Sequence, residues 1–216
     1  MFKKSFLTGT LVLMIVSLIT VSWAAELLPI KLPPPNLNSG KSLMQSLQAR
    51  KSSRDFSTKR LPVEVLSNLL WAAGGINRPE SGRRTAPSAV NWQEVDIYVA
   101  MADGLYLYNA KENVLKPVIK QDIRELTGKQ TFVKDAPVNL IYVADYSRMG
   151  GGYAEERTFY SAADAAFIAQ NVYLFCASEG LAVVVRGSID RDVLAKAMQL
   201  RDNQKIVLSQ TVGYPR

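Results

Sequence analysis

The stretch from 157 to 178, "RTFYSAADAAFIAQNVYLFCAS", limits the fold more than any other part of the chain. It contains neither Pro nor Gly, and it reads as one long helix. Its Phe159, Ala162, Ala163, Ala166, Phe167, Ala169, Val172, Tyr173 and Phe175 surround most of a helical circumference. A helix that is apolar nearly all round needs cover on nearly every side. In a chain of 216 residues, that means a central helix or one shared with a second subunit.

The rest of the chain alternates in period around this helix. "LLPIKLPPPNLNSG" is a Pro-rich extended lead-in, expected to wrap a surface rather than join a core. A short helix is expected over 42–49, with Leu43 and Leu47 four apart on one face. Pro62 opens a second helix, in which Leu66, Leu69, Leu70 and Ala73 share a face before Gly74 and Gly75 stop it. The loop from 76 to 93 is long, which suggests function or mobility. "VDIYVAM" and "LYLY" flank Asp103-Gly104, a strong hairpin signal. A helix near 121–127, a buried strand at "VNLIYVA", another at "LAVVV", a helix capped by Asp190 to about Leu200, and a last strand in "KIVLSQTVGYP" complete the order. That order gives α+β or α/β with a mixed sheet, in one domain.

Composition removes several functions. The charge is +7, from 26 Lys and Arg against 19 Asp and Glu, but the excess is scattered. No basic block interleaved with aromatics occurs, so nucleic acid is not an expected partner. With no His, Ser-His and Cys-His machinery and His-based metal sites are absent, and no metal is expected. Cys176 stands alone, so no internal disulfide forms, and a buried structural thiol is the expectation. At the start, Lys3 and Lys4 precede "FLTGTLVLMIVSLITV", and Ser22-Trp23-Ala24 supplies small residues where a signal peptidase reads. Export to the bacterial periplasm is therefore expected, with residues 1–24 as the signal, 25–41 as the lead-in and 42–216 as the domain. The runner-up is an uncleaved anchor, which would be the protein's one membrane contact.

Three polar stretches can bear chemistry. "RKSSRDF" follows a helix and offers guanidinium forks, hydroxyls and backbone amides to a phosphate, although a solvated charge run has the same composition. "RRTAPSAVNWQ" has small side chains and amides that let a flat heterocycle approach, or it is plain loop. "VVVRGS" sets a Gly beside an Arg at a strand end, as an ordinary turn also does.

In order and spacing, "RKSSRDF", "TAPSAVNWQ", "DGLYLYNAKENVLKPV", "KQTFVKDAPVNLIYVAD", "AADAAFIAQNVYLFCASEGLAVVVRGS" and "VLSQTVGYP" together resemble the FMN-dependent nitroreductase family. The nearest branch is the one that includes the thiazole/oxazole-forming (azoline) dehydrogenases, and the resemblance covers about 42–215. It implies a homodimer with FMN, a mixed, mainly antiparallel sheet flanked by helices, and a long central helix. Arg50 and Ser52 match the Arg-x-Ser that grips the FMN phosphate, with Lys51 contributing its backbone. Arg54 matches a basic position near the pyrimidine edge, where a cation favours the charge of reduced flavin. Pro87, Ser88, Ala89, Asn91 and Gln93 match the segment that lines the ring from the partner subunit, and Gln130 is carried over with the cofactor-binding set. Gly187 matches the position whose amide approaches flavin N5.

The sequence departs from the family pattern at three places. Val185-Arg186 stands where Pro-Ile is common, so Arg186 is expected either to enter the substrate pocket and favour an anionic donor or acceptor, or to turn to solvent. Arg216 is the candidate for the C-terminal basic group that helps hold the phosphate. Gly152-Tyr153 stands where the azoline dehydrogenases have a Lys-Tyr pair, against that activity. The resemblance implies an FMN-dependent oxidoreductase passing hydride through N5 in a ping-pong cycle, with small-molecule redox substrates. A flavin-binding protein without turnover and a non-flavin structural or partner-binding module remain open.

Overall fold

The computed structural model describes residues 26–216, so the signal segment expected over 1–24 lies outside the described residues. Among the described residues, no helix is long and apolar enough to cross a membrane. The strands are β1 (Ile30–Lys31), β2 (Ile76–Arg78), β3 (Arg83–Arg84), β4 (Val95–Met101), β5 (Gly104–Asn109), β6 (Val114–Ile119), β7 (Val138–Asp145), β8 (Ala182–Arg186) and β9 (Gln204–Gly213). The helices are α1 (Leu43–Ala49), α2 (Val63–Gly74), α3 (Ala154–Glu179) and α4 (Arg191–Ala197).

Seven strands form one sheet in the order β1-β6-β5-β4-β7-β9-β8, and every pairing is antiparallel, which selects α+β over α/β. The Asp103-Gly104 hairpin forms as expected, with Met101 opposite Gly104. β7 is buried at all eight positions, as its unbroken apolar run requires. Alternate residues of the central strands serve two cores. Ile97, Val99, Leu140 and Tyr142 meet Leu69, Leu70 and Ala73 of α2 and Ala165, Ala169, Val172 and Cys176 of α3. Tyr98, Ala100, Ile141 and Val143 meet Leu194 and Met198 around α4 on the other face. Cys176 is the expected buried thiol, and desolvation pushes its pKa well up.

Several elements differ from the expectations. The lead-in joins the fold: β1 adds to β6 at the sheet edge and Leu32 enters the core at 3% exposure. Ser42 caps α1 in a capping box with Gln45, yet Leu43 and Leu47 face outward and Ser46 faces inward. Residues 124–127 form a 3-10 turn rather than a helix, and β6 is a further strand. The 76–93 loop contains the small β2–β3 ribbon and a 3-10 turn at Ala89–Asn91. α4 stops at Ala197, short of Leu200. In α3 one side is open within a single chain: Phe159 is 67% and Phe167 48% exposed, while Ser161, Asp164, Ile168, Val172 and Tyr173 face inward.

Candidate functional site

The segment 50–56 leaves the end of α1 and runs beside β8, which is an edge strand of the sheet. In an antiparallel edge strand, alternate residues turn both backbone groups toward the neighbour or away from it. The outward-turned residues of β8 are odd-numbered. Val183 C=O accepts the Ser53 N–H at 2.8 Å, and Val185 N–H donates to the Tyr173 hydroxyl at 2.9 Å. The next odd residue, Gly187, lies just past the strand, where its C=O accepts Ile189 N–H at 3.0 Å and Arg191 Nη1–H at 3.2 Å while its amide makes no hydrogen bond among the described residues. Gly187 is exposed, and a Cβ there would meet only Leu208 Cδ2, at 4.0 Å.

Arg50, Ser52 and Arg54 share one side of the segment, as alternate residues of extended chain do. Ser52 Oγ lies 2.8 Å from the Tyr173 hydroxyl, and the Arg50 guanidinium lies 5.4 Å from the centre of the same ring. Among the described residues, neither Arg50 nor Arg54 has an ion-pair partner. Lys51 and Ser53 turn the other way and, with Lys41, line a cavity of about 300 Å³ against the end of α3. The C-terminus is tied to the segment by a bridge between Phe56 and Pro215 and by Ser57 N–H donating to Tyr214 C=O at 2.9 Å. Arg216 Nε reaches only to 3.9 Å from Asp55, with both side chains exposed, so this cation stays available.

Arg186 follows neither expected course. It is 6% exposed, and its side chain enters the fold beneath the 3-10 turn at Arg124–Thr127. Its Nη1 donates to Thr127 C=O at 2.7 Å, and its Nη2 donates to Asn139 Oδ1 at 3.0 Å and Ser209 Oγ at 2.8 Å. The register that pairs Arg186 with Ser209 fixes this direction. No carboxylate accompanies the cation among the described residues, and burial lowers its pKa to about 10, so it stays charged at neutral pH. Gly128 makes room for it, because a Cβ there would stand 1.8 Å from Nη1. Beside them Gln130 Oε1 and Arg186 Nε are buried with no hydrogen-bond partner among the described residues.

Pro87, Ser88, Ala89, Asn91 and Gln93 gather elsewhere. Ser88 Oγ accepts Gln93 N–H at 2.9 Å, and Gln93 Oε1 accepts Arg84 Nε–H at 2.9 Å. Val90, Asn91 and Gln93 adopt φ of 40°, 59° and 49°, a costly conformation for a β-branched Val. The loop is anchored by Ala89 N–H donating to Asp164 Oδ2 at 2.9 Å. Asp164 and Tyr173 are nine residues apart in α3, about 13 Å along the axis. Within one chain, then, Arg50, Ser52, Arg54, Gly187 and Arg216 border β8, while the 87–93 group lies toward the other end of the helix.

Two features have no counterpart among the expected site residues. Tyr173 was legible only as an apolar-face residue, and nothing in its spacing reveals the hydroxyl's partners. Glu94 is fully buried, and among the described residues neither carboxyl oxygen makes a hydrogen bond of ordinary geometry. Desolvation above all, with the neighbouring Asp164 carboxyl, raises its pKa to about 7 against opposing pulls from its own backbone amide and from Arg148. Its place directly before an apolar strand, "EVDIYVAM", is the one sequence signal of that burial.

A family model described as the nitroreductase family matches residues 47–214. This chain belongs to the nitroreductase family. Among relatives of this nitroreductase-family chain, a protein of Methanocaldococcus jannaschii carrying a nitroreductase name is 29% identical over 163 residues, 71% of this chain and 82% of its own length. A crystal structure from Ralstonia eutropha, also under a nitroreductase name, is 44% identical with a TM-score of 0.83, covering 87% of this chain and 90% of that one. The fold is shared further with a nitroreductase-named structure from Desulfovibrio desulfuricans in complex with FMN, at 22% identity and a TM-score of 0.60, over 82% and 88% of the two chains.

Proposed function

We propose that this nitroreductase-family protein is an exported, homodimeric, FMN-dependent oxidoreductase. The observation that carries the reading is the open border of β8, where two unpaired guanidinium groups, the Ser52 hydroxyl and the outward Gly187 amide stand together. Cations without carboxylate partners beside free hydroxyl and amide donors suit a phosphate-bearing, hydrogen-bonding ligand. The FMN complex of the Desulfovibrio desulfuricans structure supports the choice of flavin. In this reading Arg50 and Ser52 hold the phosphate with Arg216, Lys51 lends backbone, and Arg54, Gln130 and Gly187 meet the ring system. FMN, when bound, supplies the hydride chemistry. Arg186, held behind β8 by Thr127, Asn139 and Ser209, takes no direct part in ligand contact in this reading.

The dimer is supported by what one chain leaves open. Phe159, Phe167, Leu43, Met44 and Val90 are each at least 48% exposed, and such clusters mark interaction surfaces. A second copy would cover them and bring its own residues 87–93 to the ring. Donor and acceptor would then use one site in turn, in a ping-pong cycle. Export rests on Lys3, Lys4 and the apolar run that follows. Sedimentation of purified protein, followed in the visible flavin band, tests the reading: the colour should travel with a dimer at micromolar concentration. Colourless protein after FMN loading, or a coloured monomer, would overturn it.

Arg50→Ala tests the phosphate end separately. It should weaken FMN binding by about 2 kcal/mol, the scale of one charge-assisted hydrogen bond, and change riboflavin binding far less. Equal losses for both ligands in titration calorimetry would assign Arg50 to folding instead.

A further inference from the structure

Tyr173 lies on the inward face of α3 at 7% exposure, yet its hydroxyl reaches the site border. The Tyr173 oxygen accepts the Val185 N–H at 2.9 Å. An oxygen occupied in this way still has its own proton to give, and the oxygen within reach is Ser52 Oγ at 2.8 Å. Either hydroxyl can donate across that contact, and the order that gives the phenolic proton a partner is Val185 N–H to Tyr173 and Tyr173 O–H to Ser52. Ser52 is left with its own proton free, at an exposed position. The same ring carries the Arg50 guanidinium 5.4 Å from its centre, within cation–π range. One side chain thus fixes a strand amide two residues before Gly187, a hydroxyl and a cation.

We propose that Tyr173 is a positioning residue of the anion-binding end. It occupies the acceptor side of Ser52, so that Ser52 presents a proton, rather than a lone pair, to an anionic oxygen. It also sets the distance between the Ser52–Arg50 pair and the Gly187 amide. The ligand class is a phosphomonoester attached to a ring system that reaches Gly187, and this deepens the FMN reading on which it rests. A Ser without such a partner rotates freely and offers its proton only part of the time. Preorganised donors bind more tightly because less ordering remains for the ligand to impose.

The test compares FMN with riboflavin, which lacks the phosphate, on the full protein and on Tyr173→Phe. The variant keeps the ring under Arg50 and removes only the oxygen. FMN affinity should fall about tenfold, the effect of losing one hydrogen bond's worth of positioning, while riboflavin affinity stays within about threefold. Adding Ser52→Ala to Tyr173→Phe should then cost FMN little more, because the two act as one unit. Equal loss of both ligands would make Tyr173 a structural residue, and an unchanged FMN preference would leave it no part in binding; either overturns the proposal. Wild-type protein without a preference for FMN over riboflavin would overturn the site reading itself, and this inference with it. Should Tyr173→Phe not purify folded, Tyr173→His retains a ring nitrogen, and the same ligand comparison decides.

Discussion

Arg186→Ala is expected to lower the thermal midpoint by about 10 °C. The side chain makes three hydrogen bonds, to Thr127, Asn139 and Ser209, and its removal opens a cavity beside Gly128, which has no side chain to fill it. Thr127 C=O keeps the Ser209 hydroxyl and Asn139 Oδ1 keeps Thr211, so neither acceptor is stranded. Relief from burying an unpaired charge offsets part of the loss. Lost charge-assisted bonds and the cavity together still come to roughly 3 kcal/mol. For a chain of this length that is about 6–12 °C. Differential scanning calorimetry checks it, with the exposed Arg54→Ala as a control expected within about 0.5 kcal/mol. A midpoint that does not move would mean that Arg186 is not held in this network. Because the side chain is walled off from the β8 border, any turnover should keep the same ranking of neutral and anionic acceptors.

Near neutral pH the largest effect comes from Glu94. Its folded-state pKa is raised from 4.5 to about 7, so between those values the native protein binds more protons than the unfolded chain. Stability from this group is full below about pH 4.5, declines as pH rises through 7, and is absent above. At 1.36 kcal/mol per pH unit the whole effect is about 3 kcal/mol. Denaturant midpoints of wild type and Glu94→Gln, compared at pH 5 and pH 8, isolate it from the other carboxylates. Gln, neutral at both, should gain on wild type by about 2.5 kcal/mol from pH 5 to pH 8. A constant difference between the two proteins would show that Glu94 ionises freely. The groups facing it are Asp164 from α3 and Arg148 from the turn after β7, and only Asp164 disfavours its charge.

Where local pattern and tertiary packing agree, the sequence was legible. α2 buries the Leu66, Leu69, Leu70 and Ala73 face that its spacing marks, and Asp190 caps α4 through Val193 N–H. The long helix was recognisable from composition, but α3 shields one side only, because a run of apolar residues does not state who covers it. β1 escaped notice since a two-residue strand between prolines has no period, and its pairing is decided by β6. α1 misled because Leu43 and Leu47 form a stripe whose direction depends on how the helix docks on α3. In the site, Arg50 and Ser52 stand at Tyr173, whose hydroxyl accepts the Val185 amide two residues before Gly187. Arg186 could not be placed, since one step of register decides which face of a strand a side chain takes. Glu94 and Tyr173 matter through partners 70 and 121 positions away in sequence, as Asp164 lies from Glu94 and Ser52 from Tyr173.

Sheet borders invite β-augmentation, in which a foreign strand adds itself to unpaired backbone groups. At one border this protein ends in Ile30–Lys31, flanked by Pro29 and Pro33, too short to template anything. At the other, segment 50–56 lies along β8, with Ser53 bonded to the Val183 carbonyl and Tyr173 to the Val185 amide. Beyond them, the Gly187 amide makes no hydrogen bond among the described residues. A polypeptide needs a row of such groups to register against, whereas a single acceptor atom needs one. The border of β8 is thus closed to strands and open to a small molecule, and that selectivity comes from what is covered as much as from what is exposed.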